Sequence, residues 1–381
     1  MTWHSSSAGI AEGLWRACFA PPHEGLFWLR ALESGTLPGQ FTYLFGELRS
    51  DGTPIGIVPA FVFDVPLALV IPPVLARVIL PIAKGPLRGL AHQRTFFIGN
   101  VAGEEGHVGL VAGWRLAQVA AFVHASACAK ADALGAPMRV WKDFPDGDRE
   151  ALDALARDTR IFRIVSYPGT VIPVVRPNYE AFLATLRAEA RRRIRIRLKR
   201  GREALALESQ VIVRPSERDL DALFALFRQT YERATTRFEE LTPEFFRTIA
   251  LADEAAFIVL RDPGSGPLRA FMLMLDLGDR AINQFIGIDH ACADGAWLYF
   301  RLFEAAYDWA CATQATSLQS GQTGYRAKLD MGHELVPLWN WCEHRGPIVN
   351  SVFRHAAKGI EWGTLDPQLA EYLRAHPELK A

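Results

Sequence analysis

The stretch AAFIVLRDPGSGPLRAFMLMLDL, residues 255–277, decides the fold of this chain. An apolar run (255–261) precedes a turn rich in Gly and Pro, and a second apolar run (268–277) follows the turn. Two apolar runs joined by a short turn of this composition are typical of a β-hairpin. The sequence therefore predicts two buried antiparallel strands at this point.

The residues that follow extend the hairpin into a longer series. AINQFIGID (281–289) reads as a third strand, and apolar residues at helical spacing follow it. The series is completed by a helix at 295–313, a strand at 315–320, a short helix at 323–330 and a last strand at 334–344. The second half of the chain therefore has the predicted order β-β-β-α-β-α-β.

The first half repeats that order, which indicates an internal duplication at the scale of a domain. Its predicted elements are strands at 41–49, 54–64, 94–100, 137–142 and 160–166, with helices at 112–134 and 148–157. Covering helices are predicted at 8–17, 23–34, 178–205, 216–233 and 242–250. We expect an α+β (α/β layered) fold, a tandem duplication of a mixed-sheet domain with covering helices.

The Pro-rich stretch YPGTVIPVVRPN (167–178) is extended and separates the two halves. We expect an N-terminal domain over 1–170, a C-terminal domain over 171–350 and a helical tail over 351–381. The two sheets should face each other across a cleft.

The composition narrows the function classes. The 381 residues contain 42 Lys plus Arg and 42 Asp plus Glu, and this neutral balance argues against a general nucleic-acid binder. The five cysteines are odd in number and scattered, and no C-x-x-C pair occurs. We therefore expect a reduced, cytoplasmic protein without a metal.

An apolar stretch, residues 65–87, imitates a membrane segment, but three prolines and Arg77 interrupt it. Three interpretations stay open: a folded excursion of the first domain, an apolar wall for a greasy substrate, and docking at a membrane interface. A transmembrane helix is excluded, and membrane contact is not expected.

Three sequence blocks carry a resemblance to a known family. They are NYEAFLATLRAEARRRIRIRLKRG (178–201), LYFRLFEAAYDWA (298–310) and GQTGYRAKLDMG (321–332). Together with the duplicated order, they resemble the GNAT acyltransferase superfamily in its two-domain version, the Fem-type (FemAB-like) relatives of peptidoglycan aminoacyl transferases. The third block, with its Gly-x-x-x-Tyr-x-x-Lys-x-x-x-Gly spacing, is the most specific of the three.

The resemblance implies a site and a chemistry. The strands at 281–289 and 315–320 should splay apart around an acyl donor, and Tyr325 should protonate the leaving group. The joint at 231–241 should line the acceptor site, which makes Arg237 a candidate anchor for an acidic acceptor group. The loop 290–295, HACADG, departs from the family's pyrophosphate loop, since a Gly is missing and Asp294 would repel a pyrophosphate.

Other candidates follow from the residues themselves. Asp289 and His290 end the third strand, where either side chain could accept a proton from an amine, or Asp289 could simply cap a turn. Gln284 is polar within an apolar strand and needs a partner, as a substrate could provide. Further candidate substrate-binding residues are Gln322, Lys328, Lys142 and Asp143; the last two could equally form a salt-bridged loop, and Lys328 could be a solvated helix cation.

The run RRRIRIRLKR (191–200) concentrates positive charge on one predicted helix, 178–202. Like charges four residues apart need counter-charge, which carboxylates or a phosphorylated ligand could supply. We expect the helix to lie at the junction of the halves, with Arg192 and Arg195 binding phosphates of the donor.

The sequence therefore predicts an acyltransferase that moves an acyl or aminoacyl group from an activated ester or thioester to a small-molecule or peptide amine. The donor, not tightly bound, could be acyl-CoA, an acyl carrier protein or aminoacyl-tRNA. Two alternatives stay open: an aminoacyl-tRNA-dependent ligase that forms peptide bonds, and a family member that only binds a ligand.

Overall fold

The computed structural model describes residues 1–66, 92–234, 237–292, 295–376 and 379. Within them, the first of two mixed sheets has eight strands in the order β1-β2-β3-β4-β6-β15-β7, with β5 beside β3. These strands are β1 (Thr2–His4), β2 (Thr42–Ser50), β3 (Thr53–Pro66), β4 (His92–Ile98), β5 (Gly109–Leu110), β6 (Met138–Pro145), β7 (Phe162–Val165) and β15 (Leu338–His344).

The second sheet has seven strands in the order β14-β8-β13-β12-β11-β10-β9. They are β8 (Gly169–Pro173), β9 (Glu208–Ile212), β10 (Ala255–Arg261), β11 (Leu268–Asp276), β12 (Arg280–Ile288), β13 (Ser317–Gln319) and β14 (Glu334–Val336). The hairpin of residues 255–277 forms β10 and β11 as predicted.

The two sheets are built in the same way. In the first, β2, β3 and β4 form an antiparallel meander and β6 is added parallel to β4. In the second, β10, β11 and β12 form the meander and β13 is added parallel to β12. The predicted tandem duplication of a mixed-sheet domain is confirmed.

The first sheet takes an inner strand, β15, from the second half of the chain, and β8, which spans the predicted limit at 170/171, is an inner strand of the second sheet. β15 lies between β6 and β7 of the first sheet, and β8 lies between β13 and β14 of the second. The single strand predicted at 334–344 is therefore wrong. It is two strands in different sheets, separated at Pro337, which has no backbone N–H to donate to a ladder. The domain limits at 170/171 and 350/351 stay a prediction.

Helices cover the faces of both sheets. Those of the first half are α1 (Glu12–Cys18), α2 (Leu26–Gly35), α3 (Leu116–Ala133) and α4 (Arg149–Asp158). Those of the second half are α5 (Tyr179–Thr185), α6 (Ala188–Ala204), α7 (Glu217–Arg233), α8 (Pro243–Ile249), α9 (Gly295–Ala312) and α10 (Tyr325–Asp330). α11 (Pro347–Ala357), α12 (Trp362–Leu365) and α13 (Pro367–Ala375) follow β15, and short 3-10 helices lie at Ser7–Gly9 and Asp146–Asp148.

One apolar cluster joins the inner faces of the two sheets. It contains Phe61 and Phe97 of the first sheet and Phe271 of the second, together with side chains of α2, α7 and α8. Rings from both halves touch directly, since Trp28 of α2 lies 5.5 Å from Phe245 of α8 between ring centroids. The faces that we expected to border a cleft are, along this cluster, packed together through three helices.

Two further clusters cover the outer faces. α3 and α4 pack on the first sheet, and α5, α6 and α9 pack on the second. The helix predicted over 178–202 is two helices, because the chain is extended at Leu186 and Arg187. Among the residues described, no helix is long and apolar enough to cross a membrane. The apolar stretch 65–87 lies almost wholly outside those residues.

Candidate functional site

A gap opens between the parallel strands β12 and β13. They pair only over Arg280–Ile282 and Ser317–Gln319. β12 then continues along β11 as far as Ile288, while the chain beyond β13 turns at Gly321, where φ is 65°. This is the separation of strands that the family resemblance implies.

Three side-chain amides lie where the gap begins. Leu273 pairs with Phe285 and Met274 with Asn283, so Gln284 is the extra residue of a β-bulge, a device that redirects a side chain. Among the described residues, Gln284 Oε1 is buried and has no hydrogen-bond partner. The same holds, within that part of the chain, for Oε1 of Gln319 and Nε2 of Gln322.

Unpaired buried polar atoms need an explanation, since each costs about 1–3 kcal/mol. Gln319 ends β13, and Gln322 follows it by three residues, while Gln284 follows the last paired residue of β12 by two. The structure thus brings the predicted residues Gln284 and Gln322 to the same end of the paired segment. The arrangement suits a polar ligand that enters between the strands.

Two buried charges hold the loop after β13 from opposite sides. The backbone N–H of Gly321 donates to Glu104 Oε2 at 3.1 Å, and Lys328 Nζ donates to the Gly321 carbonyl oxygen at 3.1 Å. Lys328 also donates to the carbonyl oxygen of Gln322 at 3.4 Å. Glu104 comes from a loop of the first half, so both halves build this end of the gap.

Lys328 is therefore neither a solvated helix cation nor an exposed phosphate anchor, because it is buried on α10. Burial lowers the pKa of Lys328, and the Glu104 carboxylate opposes that shift. Burial raises the pKa of Glu104, the neighbouring Glu24 raises it further, and Lys328 lowers it. Each charge stabilises the other in a region from which water is excluded.

Further buried charges surround this pair. Glu24 Oε1 accepts the backbone N–H of Glu104 at 2.8 Å, and Arg280, the first residue of β12, lies 3.7 Å from Glu24 Oε2. Arg280 also lies 3.4 Å from Glu105 Oε2. Sequence analysis missed Glu24, Glu104 and Arg280, because they belong to no motif and only the packing of the halves brings them together.

Lys142 and Asp143 lie at the end of β6, beside the loop that carries Glu104, and their side chains are held by an ion pair and hydrogen bonds. Lys142 ion-pairs with Asp143, whose carboxylate also accepts the hydroxyl of Ser166. The backbone N–H of Asp143 donates to Asn340 Oδ1 at 2.8 Å. The alternative of a salt-bridged loop thus describes these two residues, with Lys142 Nζ 5.7 Å from the ring centroid of Phe238.

Two residues near the gap have a strained backbone. Asp143 has φ 60° and Thr323 has φ 68°, although neither is glycine. A β-branched residue such as Thr323 is rare in this region, and strain of this kind collects at functional sites. Thr323 stands between Gln322 and the buried Tyr325, in the most specific block of the family resemblance.

The far end of β12 carries Asp289 and His290. Asp289 Oδ2 accepts a hydrogen bond from Arg269 at 2.8 Å, and its Oδ1 accepts the N–H of Ala291 at 3.0 Å. Asp289 therefore acts here as a paired turn cap. His290 Nε2 is buried and, within the described residues, lacks a partner; burial lowers the pKa of His290, and Arg233 adds to that. A neutral imidazole is the better proton acceptor of the two.

Helix α7 reaches the backbone of β12 at this end. Gly287 allows this approach, because a Cβ there would lie 2.7 Å from the backbone of Leu226 and Phe227. Thr230 Oγ1 accepts the N–H of Ile288 at 3.0 Å. The N–H of Ile286, two residues earlier along the strand, points to the same side of β12.

Tyr325 is not placed as an acid for a leaving group. Its side chain is fully buried against Trp362, Leu369 and Leu373, and its hydroxyl donates to the Pro168 carbonyl oxygen at 2.9 Å. Burial raises the pKa of Tyr325 well above its usual range. The expectation from the resemblance is corrected: Tyr325 is a packing residue that ties α10 to the segment before β8.

Arg237 folds back on its own loop, donating to the carbonyl oxygens of Ala234 and Glu232 and lying 5.6 Å from the ring centroid of Tyr231. It is exposed and could exchange these bonds for an acidic group. The structure gives it no contact with the Gln284 end of the gap.

The arginine-rich helix α6 is only partly as expected. Ile194 and Leu198 are buried, as the predicted stripe requires. The helix packs on α9 in the outer layer of the second sheet, so its predicted place at the junction of the halves is wrong. Its counter-charges include Glu180, Glu189, Asp330 and Glu203. Arg192 and Arg195 line an exposed groove of about 330 Å³ with Arg191 and Lys199.

Comparison with known proteins identifies one part of the chain directly. Residues 188–326 match the family model of the acetyltransferase (GNAT) domain. This match covers β10 to β13, α9 and the gap between β12 and β13. Among curated proteins there is no match.

Solved structures with the same fold extend over most of the chain. The crystal structure of FemX covers 93% of this chain and 100% of its own, with a TM-score of 0.56 and 13% identity. L-PGS from Bacillus licheniformis covers 87% of this chain and 94% of its own, with a TM-score of 0.53 and 11% identity. A conserved protein of unknown function from Bacteroides thetaiotaomicron VPI-5482 covers 89% and 98%, with a TM-score of 0.52 and 13% identity.

At these identities the likeness shows the fold alone, while the family model identifies residues 188–326 as an acetyltransferase (GNAT) domain. The duplicated sheets, the separated parallel strands and the matched domain agree with one another. The chain thus contains a GNAT domain over residues 188–326, and it shares its two-domain fold with FemX.

Proposed function

We propose that this protein is an N-acyltransferase that moves an acyl or aminoacyl group from an activated ester or thioester to an amine. The observation that carries the proposal is the gap between β12 and β13. It begins at three side-chain amides with unpaired buried atoms, and it lies within the residues that match the GNAT domain.

The donor enters the gap between the two strands. The unpaired oxygens of Gln284 and Gln319 accept N–H groups of an amide-containing arm, such as a pantetheine or an aminoacyl group, and Nε2 of Gln322 donates to a carbonyl oxygen. Burial makes each of these bonds more selective, because an arm without matching groups leaves the amides unpaired. An acyl-CoA, an acyl carrier protein and an aminoacyl-tRNA all carry such groups.

The reaction needs a nucleophile, an oxyanion site and a proton acceptor. The amine nitrogen attacks the carbonyl carbon, and backbone N–H groups of β12, with Ile286 the first candidate, stabilise the oxyanion. His290 accepts the proton that the amine loses. The bond to the donor's sulfur or oxygen then breaks, and the leaving group takes up a proton from water.

The acceptor amine approaches from the junction of the halves. Three carboxyl groups, those of Glu24, Glu104 and Glu105, lie there beside two cations, Arg280 and Lys328, which favours a cationic amine over an acidic group. Arg237 stays a candidate anchor only for a distant acidic part of the acceptor. Lys142 and Asp143 contribute to the acceptor site indirectly, by stabilising their loop.

A CoA donor and a tRNA donor differ in where their phosphates would bind. The loop 290–295 departs from the family's pyrophosphate loop, and its residues 293–294, which include Asp294, lie outside those described. The exposed groove beside Arg192 and Arg195 offers several cations in a compact set, which suits a few phosphates. This observation favours a donor whose phosphates reach α6, including a tRNA acceptor end.

Native mass spectrometry and calorimetry with CoA, acetyl-CoA and charged tRNA test the proposal. We expect one of them to bind, and Gln284→Leu to weaken that binding at least tenfold, because the arm loses a buried acceptor. Gln210→Leu, on the exposed strand β9, is the matched control and should bind as the wild type does. Turnover with a panel of amines then identifies the acceptor.

If none of these donors binds, or if Gln284→Leu and Gln210→Leu bind alike, the gap is not a donor site. Donor binding without turnover on any amine would instead favour a family member that only binds its ligand.

A further inference from the structure

A cluster of three potential metal ligands lies in the first half, away from the gap. His124 and Cys128 are one turn apart on α3, so their side chains share a face. Glu343 lies on β15, 215 residues after Cys128 in the sequence, and its carboxylate contacts both side chains. The separations are 3.1 Å from His124 Nε2 to Glu343 Oε2, 3.6 Å from His124 Nε2 to Cys128 Sγ, and 3.7 Å from Cys128 Sγ to Glu343 Oε2.

We propose that His124, Cys128 and Glu343 bind a divalent transition metal, with Zn²⁺ as the best fit. Zn²⁺ bonds are about 2.0–2.3 Å long to N, O and S, so tetrahedral ligands lie roughly 3.3–3.6 Å apart. The three observed separations cluster around that range.

The ligand types select the class of metal. A thiolate and an imidazole favour Zn²⁺ and related ions over Mg²⁺ and Ca²⁺, which prefer oxygen ligands. Charge balance agrees, because one thiolate and one carboxylate neutralise a divalent ion in a buried position. Three protein ligands leave a fourth place for water, and the half-buried Cys128 marks the side of access.

The residues around the three proposed ligands determine which protons move or are lost when a metal binds. Arg160 lies 3.3 Å from Glu343 Oε1, so that oxygen is engaged and only Oε2 faces the other ligands. Trp141 Nε1–H donates to His124 Nδ1 at 3.4 Å. Metal binding to Nε2 shifts the histidine proton to Nδ1, so this already long contact is lost. The Cys128 thiol releases its proton to solvent.

Arg139 and Arg160 both favour the ionised form of Glu343, and the pKa of Glu343 is lowered first by the hydrogen bond from His124. Burial raises the pKa of the Cys128 thiol to about 12, so the metal must compete with a proton for sulfur.

This cluster differs from the sequence expectation of a protein without a metal. The sequence contains only a His–Cys pair at a helical spacing, which is too few ligands for a site. The third ligand arrives because β15 is inserted beside β6 of the first sheet. A bound ion would tie that inserted strand to α3.

Cobalt titration of the full-length protein tests the proposal. Co²⁺ replaces Zn²⁺ in such sites and reports a thiolate ligand through a charge-transfer band in the near ultraviolet. We expect the wild type to develop this band at one ion per chain, and Zn²⁺ to remove it by displacement. Added Zn²⁺ should also raise the Tm of the wild-type protein.

Cys128→Ser should lose the band and the Zn²⁺-dependent rise in Tm, while Cys292→Ser, a half-buried cysteine of the second half, should keep both. Glu343→Gln should keep the band but weaken binding. Far-ultraviolet circular dichroism without metal checks that each variant is folded. Absence of the band in folded wild-type protein, or an equal band in Cys128→Ser, would overturn the site.

Discussion

Replacing Lys328 by Met tests whether the buried charges at the gap support each other. Lys328 is 8% exposed and Glu104 is 4% exposed, and they hold the two sides of the Gly321 peptide. Met fills a similar volume but carries no charge. The variant therefore leaves the Glu104 carboxylate buried with less counter-charge.

The expected cost follows from the surroundings of Lys328. The Gly321 carbonyl keeps a hydrogen bond from Thr170 Oγ1 at 3.0 Å, so the lost backbone contacts contribute little. Removing one member of a buried pair costs about 3–5 kcal/mol, because the other charge stays buried. Glu104→Gln should cost a similar amount. The double variant should cost at least 2 kcal/mol less than the sum, which is roughly the coupling expected of interacting buried groups.

The pH dependence has a definite sign. Burial raises the pKa of Glu104 in the folded state above its ordinary value, so its ionisation opposes folding once the pH exceeds that ordinary value. The stabilisation is complete in acid and is lost as the pH rises through the folded pKa. Without Lys328 that folded pKa rises further, so Lys328→Met should be more damaging at pH 8 than at pH 5.

Urea unfolding followed by tryptophan fluorescence measures these free energies at both pH values. Lys199→Met, at an exposed position of α6, is the control and should stay within about 0.5 kcal/mol of the wild type. A loss below about 1 kcal/mol for Lys328→Met at pH 8, or strict additivity in the double variant at that pH, would refute the coupling.

Three further outcomes are expected. Tyr325→Phe loses only the bond to Pro168, so it should cost about 0.5–1.5 kcal/mol in unfolding experiments and leave turnover unchanged; a large fall in kcat would restore Tyr325 as an acid. Arg192→Gln with Arg195→Gln should leave the unfolding midpoint unchanged and weaken donor binding more at low salt, as calorimetry at two ionic strengths can show. Thr323→Gly should raise the Tm by relieving the positive φ, and a lower Tm would mean that its methyl contacts outweigh the strain.

The duplicated fold could be predicted because each of its helices and hairpins follows from residues that are close together in the sequence. The hairpin 255–277 and the helix at 295–313 follow from apolar periodicity, and the structure has them at nearly the same residues. The fate of 334–344 could not be predicted in this way. Both pieces are good strands, and only the edge that each half leaves open decides which sheet each one joins.

The candidate site likewise contains residues that a local sequence signal revealed and residues that only the packing of the two halves revealed. Gln284 was found because a polar residue in an apolar strand is a local anomaly. Glu104 and Glu24 carried no such signal, since charged residues in loops are ordinary until a second domain buries them. Tyr325 was misassigned because a sequence block gives the type of residue but not its exposure.

The placement of β15 in the first sheet, and of β8 across the limit between the halves, means that the coding sequence cannot be divided there into two independent domains. A gene cut at codon 170 would give a first fragment without β15, an inner strand of its sheet, and would divide β8 between the two fragments. We expect neither fragment to express as a soluble product alone, and the two together to complement each other in one cell. For the same reason, recombination could not exchange one half for that of a distant relative unless the crossing strand travelled with it.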